Sequence, residues 1–346
     1  MPHKIKQLPI WGACCLLFLL VSCTSATGKT TTTTAPPTKK PFYNPMAVPI
    51  PLGTTLYIYR GHTNYVFGVA WAPDGERIAS ASFDGTVQVW DAMTGKHVLV
   101  YRGHKGPVFA VEWSPDGKYI ASGGYDKTVQ VWDAATGKTI VTYRGHSALI
   151  NAISWSPDGK LIASASDDGT VQIWDAMTGK HIATYLDYPD HVTSVEWAPG
   201  GGRIAAASDN GTVRIWNVAT GKVDLTYHNA NQIGIWSLAW SPDGTRIAST
   251  ATDNTVQIWD ATTGKPLVVY TGHSSYVHIV AWSPDGKYIA SGGFDQTVQV
   301  WDAANGDHLV TYDMPYTTVV TLAWSANGQY IASAGMGQTV QVWQAS

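Results

Sequence analysis

The chain is 346 residues long with a formal net charge of −3, and 14% of its residues are charged against a typical ~25%. Gly, Thr and Ser stand in for the missing charges, as short strands and tight turns require, and no long run of Lys or Arg occurs. This balance argues against a nucleic-acid or anionic-membrane partner held by bulk charge. The three cysteines, Cys14, Cys15 and Cys23, leave everything after them without a disulfide, a Cys-ligated zinc or a thiol nucleophile.

The first element is a secretory pattern. Lys4 and Lys6 precede an apolar run from Ile10 to Val21, too short for the ~20 residues a membrane-spanning helix needs. The run ends in Leu20-Val21-Ser22-Cys23, which resembles the lipobox of bacterial lipoproteins. That resemblance implies a signal peptide over 1–22, a lipid on Cys23, and a chain exported to the bacterial cell envelope and facing outside the cytoplasm. In the alternative reading, an ordinary signal peptide, the cysteines merely fill apolar space. From residue 23 to 52 the composition turns to Thr and Pro, including Thr30 to Thr34 and Pro36-Pro37, with too few apolar residues to fold. It reads as a flexible tether spanning ~30 Å r.m.s..

Beyond it the chain repeats. Trp90, Trp132, Trp174, Trp216, Trp259, Trp301 and Trp343 recur every 42 residues with one step of 43, and Trp71, Trp113, Trp155, Trp197, Trp240, Trp282 and Trp324 run beside them. A period in this range marks a repeat architecture. In residues 101–142, Val108 to Trp113 reads as a strand. Ser114-Pro115-Asp116-Gly117 suits a type I turn. Lys118 to Gly123 reads as a second strand, Thr128 to Trp132 as a third with clean alternation, and Thr139 to Tyr143 as a fourth. Asp84-Gly85, Asp168-Gly169 and Asn210-Gly211 in other repeats favour a tight hairpin turn.

Gly-His, then Ser-Pro-Asp-Gly, then Trp-Asp, in up to seven copies from about Leu56 onward, resembles the WD40-repeat β-propeller family. The expectation is an all-β fold over 53–346: a seven-bladed β-propeller of four-stranded antiparallel blades. The seventh repeat ends at Gln344-Ala345-Ser346 without a fourth strand, and Leu56 to His62 matches Val98 to His104. The N-terminal strand should therefore close the ring and remove its open edges.

His62, Ser80, Asp84 and Trp90 recur at the same offsets as His104, Ser122, Asp126, Trp132, as His146, Ser164, Asp168, Trp174, and as His273, Ser291, Asp295, Trp301. A hydrolase triad needs one serine facing a cleft and an oxyanion site. Four copies round a ring argue for a structural hydrogen-bond network instead, which is also what the family resemblance implies. The fourth repeat has Tyr188, Ala206, Asn210 and Trp216 in these slots. The fifth lacks the Gly-His, and the seventh lacks it and has Gly337 for the aspartate. Softer loops are expected around these three blades. No metal, nucleotide or cofactor motif stands out.

The repeats disagree at a few slots. Twenty-five before the motif Trp stand Tyr65, Pro107, Leu149, His191, Gly234, Tyr276 and Thr318; twenty-three before stand Phe67, Phe109, Asn151, Thr193, Trp236, His278 and Val320. Before the turn aspartate stand Phe83, Tyr125, Asp167, Asp209, Thr252, Phe294 and Met336. By the resemblance these slots share one rim at the channel mouth. Tyr65, Phe67, Phe83, Phe109, Tyr125, Tyr276, His278 and Phe294 should gather where blades six, seven, one and two meet, with Trp236 beside them. Asp167 and Asp209 should make the opposite side polar. Exposed aromatics suit a binding face, unless the rings pack between blades. The expected function is a lipid-anchored scaffold with a protein or peptide partner. The alternative is a carbohydrate or cell-wall-binding module. An extracellular enzyme would need a unique polar cluster, and no unrepeated group of carboxylates or histidines is visible.

Overall fold

The computed structural model describes residues 50–185, 190–228 and 234–346. The expected signal segment, Cys23 and the tether up to residue 49 lie outside the described residues, as does Tyr188. Seven four-stranded antiparallel sheets are present, and among the described residues there is no helix. In blade 1 the strands are Val66–Trp71, Arg77–Ser82, Val87–Asp91 and His97–Tyr101, named a to d from the inside outward. Blades 2 to 6 repeat this order. Blade 7 takes its outer strand from the N-terminal side: Thr55–Tyr59 pairs with Val340–Gln344, Tyr59 opposite Val340 and Tyr57 opposite Val342. Gly53 N–H donates to Gln344 O at 2.8 Å and Gln344 N–H to Thr54 O at 2.9 Å, which completes the expected closure.

Alternation along strand b explains how blades nest. Ile78, Ser80 and Ser82 share one face of Arg77–Ser82, and Ala79 and Ala81 the other. Ile78 packs with the small Ala332 and Ala334 of blade 7, while Ala79 and Ala81 receive Ile120 and Trp132 of blade 2. The same small-to-large fit sets Ala121 against Ile162 and Trp174. The core therefore lies between blades, and each sheet is buried on both faces. All seven motif tryptophans are fully buried. Each also carries the last tyrosine of the preceding blade as a lid. Tyr101 stacks on Trp132 at 4.5 Å and 6°, and its hydroxyl donates to Gln130 Oε1 at 2.5 Å. Tyr59 does the same to Trp90 at 4.3 Å, so the closing strand uses the repeat's own joint.

The inner strands form a closed circle of neighbours. Each has one edge paired to strand b, and the unpaired N–H groups of the other edge would be orphans in a narrow channel. Side chains of the preceding blade take several of them. Val69 N–H donates to Thr321 Oγ1 at 3.0 Å, Trp197 N–H to Ser154 Oγ at 3.1 Å, and Trp155 N–H to Glu112 Oε2 at 2.9 Å.

One expectation needs correction. The b–c hairpins do not use the two-residue turn: Gly85 has φ 82° while Asp84 keeps a negative φ, and Gly85 N–H donates to Ser82 O. This is a three-residue loop closed by a residue in the left-handed region. The inner strand of blade 5 is short, Leu238–Trp240, and Ile235 and Leu238 are both buried.

Candidate functional site

The b–c turns and the d–a loops open on one face of the ring, the a–b and c–d turns on the other. The four recurring polar sets lie on the b–c side. In blade 1, His62 Nδ1 meets Asp84 Oδ2 at 2.8 Å, Nε2 meets Ser80 Oγ at 2.8 Å, and Trp90 Nε1–H donates to Ser80 Oγ at 3.2 Å. Blades 2, 3 and 6 repeat it around His104, His146 and His273. Burial alone would raise the Asp84 carboxyl, but hydrogen bonds from His62 and Thr86 outweigh it and hold the group well below the usual range. Ser80, Ser122, Ser164 and Ser291 are 0% exposed. A serine closed off from solvent and already accepting an indole N–H cannot attack a substrate, so these sets are structural. Blades 5 and 7 keep the Trp259–Ser249 and Trp343–Ser333 bonds, both at 3.1 Å. Blade 4 has Ala206 in the serine slot, and Asn210 caps Thr212 N–H at 3.1 Å.

The slot 23 before the motif Trp has an unforeseen geometry. In blades 1 to 4, 6 and 7 the register of strands a and b shifts across this residue, so Phe67, Phe109, Asn151, Thr193, His278 and Val320 each sit in a β-bulge. A bulge re-aims its side chain, and here several of these side chains reach the next blade. Asn151 Nδ2 donates to Val192 O at 2.9 Å, Thr193 Oγ1 to Ile235 O at 2.6 Å, and His278 Nδ1 bonds Val320 O at 3.1 Å. Phe67 meets Phe109 edge-on at 5.4 Å, and Trp236 stacks on His278 at 5.3 Å. These residues form a collar between blades more than a presented rim. Phe67, expected to be exposed, is 7% exposed. Desolvation lowers the His278 imidazole to about 4, so it is neutral in the collar.

The aromatic slots do not merge into one arc. Tyr65, Phe67, Phe83 and Phe109 cluster on blades 1 and 2; Trp236, Tyr276, His278 and Phe294 cluster on blades 5 and 6. Between them blade 7 offers Val320, which is buried, and Thr318. Tyr65, Phe83, Phe109 and Phe294 are partly buried, ring against ring, and only Tyr125 at 60% and Tyr276 at 50% stand out. The expectation of a polar opposite side holds. Asn151 Nδ2 donates to Asp167 Oδ1 at 2.7 Å, His191 Nδ1 lies 3.4 Å from the same oxygen, and burial raises the Asp209 carboxyl.

Sequence reasoning missed two features. Tyr316, in the loop that replaces Gly-His before blade 7, is 95% exposed with φ 66°. Its N–H donates to Gln296 Oε1 at 2.8 Å, and the buried Met314 anchors the turn through a bond to Gln296 O. The cue was Met314-Pro315 in the slots where four other repeats carry glycine and histidine, with Tyr316 directly after. The second feature lies inside the channel. The residue before the strand-a Trp is Ala in blades 1, 5, 6 and 7, Ser154 in blade 3, and Glu112 and Glu196 in blades 2 and 4. Burial pushes both carboxyls up to about 8; Glu196 adds to the rise at Glu112, while N–H bonds from Trp155 and Trp240 oppose it. So two of the seven blades carry a buried carboxyl at this slot, each bonded to the backbone of the next blade. Among the described residues no three His, Cys, Asp or Glu side chains are grouped to hold a metal.

Comparison with known proteins agrees with this geometry. Residues 89–242 match the IFT122 first beta-propeller family, and residues 53–91, 264–302 and 306–344 match the WD domain, G-beta repeat. The chain is 53% identical over 36 residues to the probable cytosolic iron-sulfur protein assembly protein Ciao1 of Culex quinquefasciatus, covering 10% of this chain and 11% of that protein. It is 46% identical over 50 residues to ribosome assembly protein 4 of Saccharomyces cerevisiae, covering 14% and 10%. Over 48 residues it is 46% identical to the ribosome biogenesis protein BOP1 homolog of Drosophila virilis, covering 14% and 6%. The chain thus spans about a tenth or less of the length of the curated relatives it matches. Seven sheets closed in a ring make the chain a seven-bladed β-propeller, in which three segments match the WD40 repeat on either side of a segment similar to the IFT122 first beta-propeller.

Proposed function

We propose that this chain is an exported, lipid-anchored scaffold that binds a protein or peptide through the b–c rim of its propeller. The observation that carries the reading is the presentation of Tyr125, Tyr276 and Tyr316, 50–95% exposed, from short turns on a closed ring. Rigid tyrosines bury large area at little rotamer cost, and interfaces enrich them for that reason. The WD40 match supports a protein-interaction role, and the matched relatives bear the names of assembly proteins. Cys23 supplies the anchor in this reading. Residues 51–54 lead into the outer strand of blade 7 on the c–d turn side. The glycan alternative would want coplanar exposed rings, whereas the ring pairs at Tyr65 and Tyr276 are tilted or edge-on.

The test places a photo-crosslinking amino acid at Tyr125, Tyr276 or Tyr316 of the full chain in its native envelope, with Lys118 on the opposite face as the control. Protein adducts from the rim positions and none from position 118 are expected. Adducts from position 118 alone, or none from any rim position, would overturn the assignment of the face.

A further inference from the structure

The rim is divided by charge as well as by aromatic content, and the division points to a partner chemistry. The loops leading into blades 1, 2 and 3 read Arg60-Gly61, Arg102-Gly103 and Arg144-Gly145, and Lys105 and Lys127 stand on the lead-in loop and b–c turn of blade 2. All five cations are exposed, and among the described residues none of them is in an ion pair. The acids on the same arc, Asp84, Asp126 and Asp168, are largely buried and committed to their histidines. The far side carries the opposite sign: Asp167, Asp190 and Asp209 around His191, and Asp313 before blade 7.

The basic arc is also where two blades meet across a bare backbone floor. Gly85, on the b–c turn of blade 1, lies so close to Gly106 of blade 2 that a Cβ would stand 3.3 Å from the Gly106 carbonyl oxygen. Gly106 has φ 124°, and a Cβ there would lie 3.5 Å from the Tyr125 ring. Phe83, partly buried against Tyr65, Phe67 and Phe109, shares the b–c turn of Gly85, and the exposed Tyr125 lies beside Gly106. Lys105 immediately precedes Gly106, Lys127 follows Tyr125 by two residues, and Arg102 comes three residues before Lys105.

We propose that the arc over blades 1 and 2 binds an acidic peptide segment, with an apolar or aromatic side chain seated between Phe83 and Tyr125 and carboxylates paired to Arg102, Lys105 and Lys127. The inference rests on the protein-binding reading above and narrows it to one sector and one charge. Arginine and lysine clusters recognise acidic motifs through charge-assisted hydrogen bonds, and unpaired surface cations steer anionic partners at low salt. A peptide fits better than a nucleic acid. The cations span a short arc of a face that turns acidic beyond blade 3, so a longer polyanion tracking the rim would meet Asp167 and Asp209.

The experiment selects a phage-displayed random 16-residue peptide library on the full chain, then measures the best synthetic peptide by fluorescence anisotropy. A single-stranded RNA of 16 nucleotides serves as the competing polyanion. The expected pool is enriched in Asp and Glu beside an aromatic or aliphatic residue. Its affinity falls at least about tenfold in an Arg102→Glu, Lys105→Glu, Lys127→Glu variant and by about tenfold in Tyr125→Ala, and it weakens with added salt. A Tyr276→Ala, Tyr316→Ala variant binds within about twofold of wild type. These side chains are exposed, and equal melting temperatures confirm that the variants are folded. A pool without acidic enrichment, or one indifferent to the charge reversal, overturns the inference and leaves peptide binding elsewhere on the ring standing. RNA binding tighter than any selected peptide also overturns it. Retention of no peptide at all overturns both this inference and the function it rests on.

Discussion

Blades 2 and 4 carry strands of nearly the same length in the same order, yet they differ in almost every polar detail. Blade 2 holds Trp132 with Ser122, His104 and Asp126, and its Gln130 accepts the hydroxyl of the preceding Tyr101. Blade 4 has Ala206 and Asn210 in the matching slots and Arg214 in place of the glutamine. The hydroxyl of Tyr185, above Trp216, has no hydrogen-bond partner among the described residues. Trp132 is nonetheless 0% exposed and Trp216 1% exposed. The difference teaches that the blade's geometry comes from apolar alternation and small-to-large nesting between sheets. The polar network ties the lead-in loop to that frame: Lys105 N–H donates to Asp126 Oδ2 at 2.9 Å. Blade 4's lead-in loop, where softness is expected, includes residues 186–189, which lie outside the described residues.

The comparison breaks first at the tryptophans. If the apolar frame is what both blades share, Trp132→Ala and Trp216→Ala should each cost about 3–5 kcal/mol in chemical denaturation. A markedly smaller loss in blade 4 would mean that its frame is already relaxed. Next comes the network itself. His104→Ala leaves the Ser122 hydroxyl and the Asp126 carboxylate short of a buried partner and should cost about 2–3 kcal/mol. Asn210→Ala removes one turn cap and should cost at most about 1 kcal/mol. Equal losses would contradict the contrast.

One feature unites the two blades, since Glu112 and Glu196 occupy the same channel slot. Their folded pKa of about 8 stands above the ordinary 4.5, so the stability they contribute is complete below pH 4.5 and is lost as pH rises toward 8. Glu112→Gln or Glu196→Gln keeps an acceptor for the Trp155 or Trp240 N–H. Each variant should stabilise the protein by about 1–3 kcal/mol at pH 8 and by almost nothing at pH 4. Melting curves at the two pH values decide it, and a pH-independent effect would mean that the carboxyls titrate normally. The smallest effect is expected at Tyr316. Asn tolerates the left-handed region better than tyrosine, so Tyr316→Asn should raise stability by up to about 1 kcal/mol in the same melts.

Much of this was legible in the sequence because it repeats. The Trp register, the Ser-Pro-Asp-Gly turns and the match of Leu56–His62 to Val98–His104 foretold the strands, the blade count and the closure. The four polar sets were readable as structural for the same reason. The rim was half legible. Tyr125 and Tyr276 are exposed as expected, but Phe67 is not, because its slot is a bulge that turns the ring toward Phe109 of the next blade. A bulge leaves no mark in a period-two pattern when the extra residue recurs in six blades at the same place. The channel carboxylates were hidden for a related reason. Residues 112 and 196 are two repeats apart, and only closing the ring turns both toward one axis.

By itself, then, the sequence determined the local and periodic facts: where strands alternate, where glycine and proline turn them, and which residues one blade must bury against its neighbour. These follow from short-range sterics and from the spacing of apolar side chains along the chain. The tertiary structure alone decided which variable side chains face water, which meet across the channel, and how the rim's charges divide into a basic and an acidic side. Those are properties of distance and solvent access between residues far apart in sequence, and they have no value until the seven sheets are held in one circle.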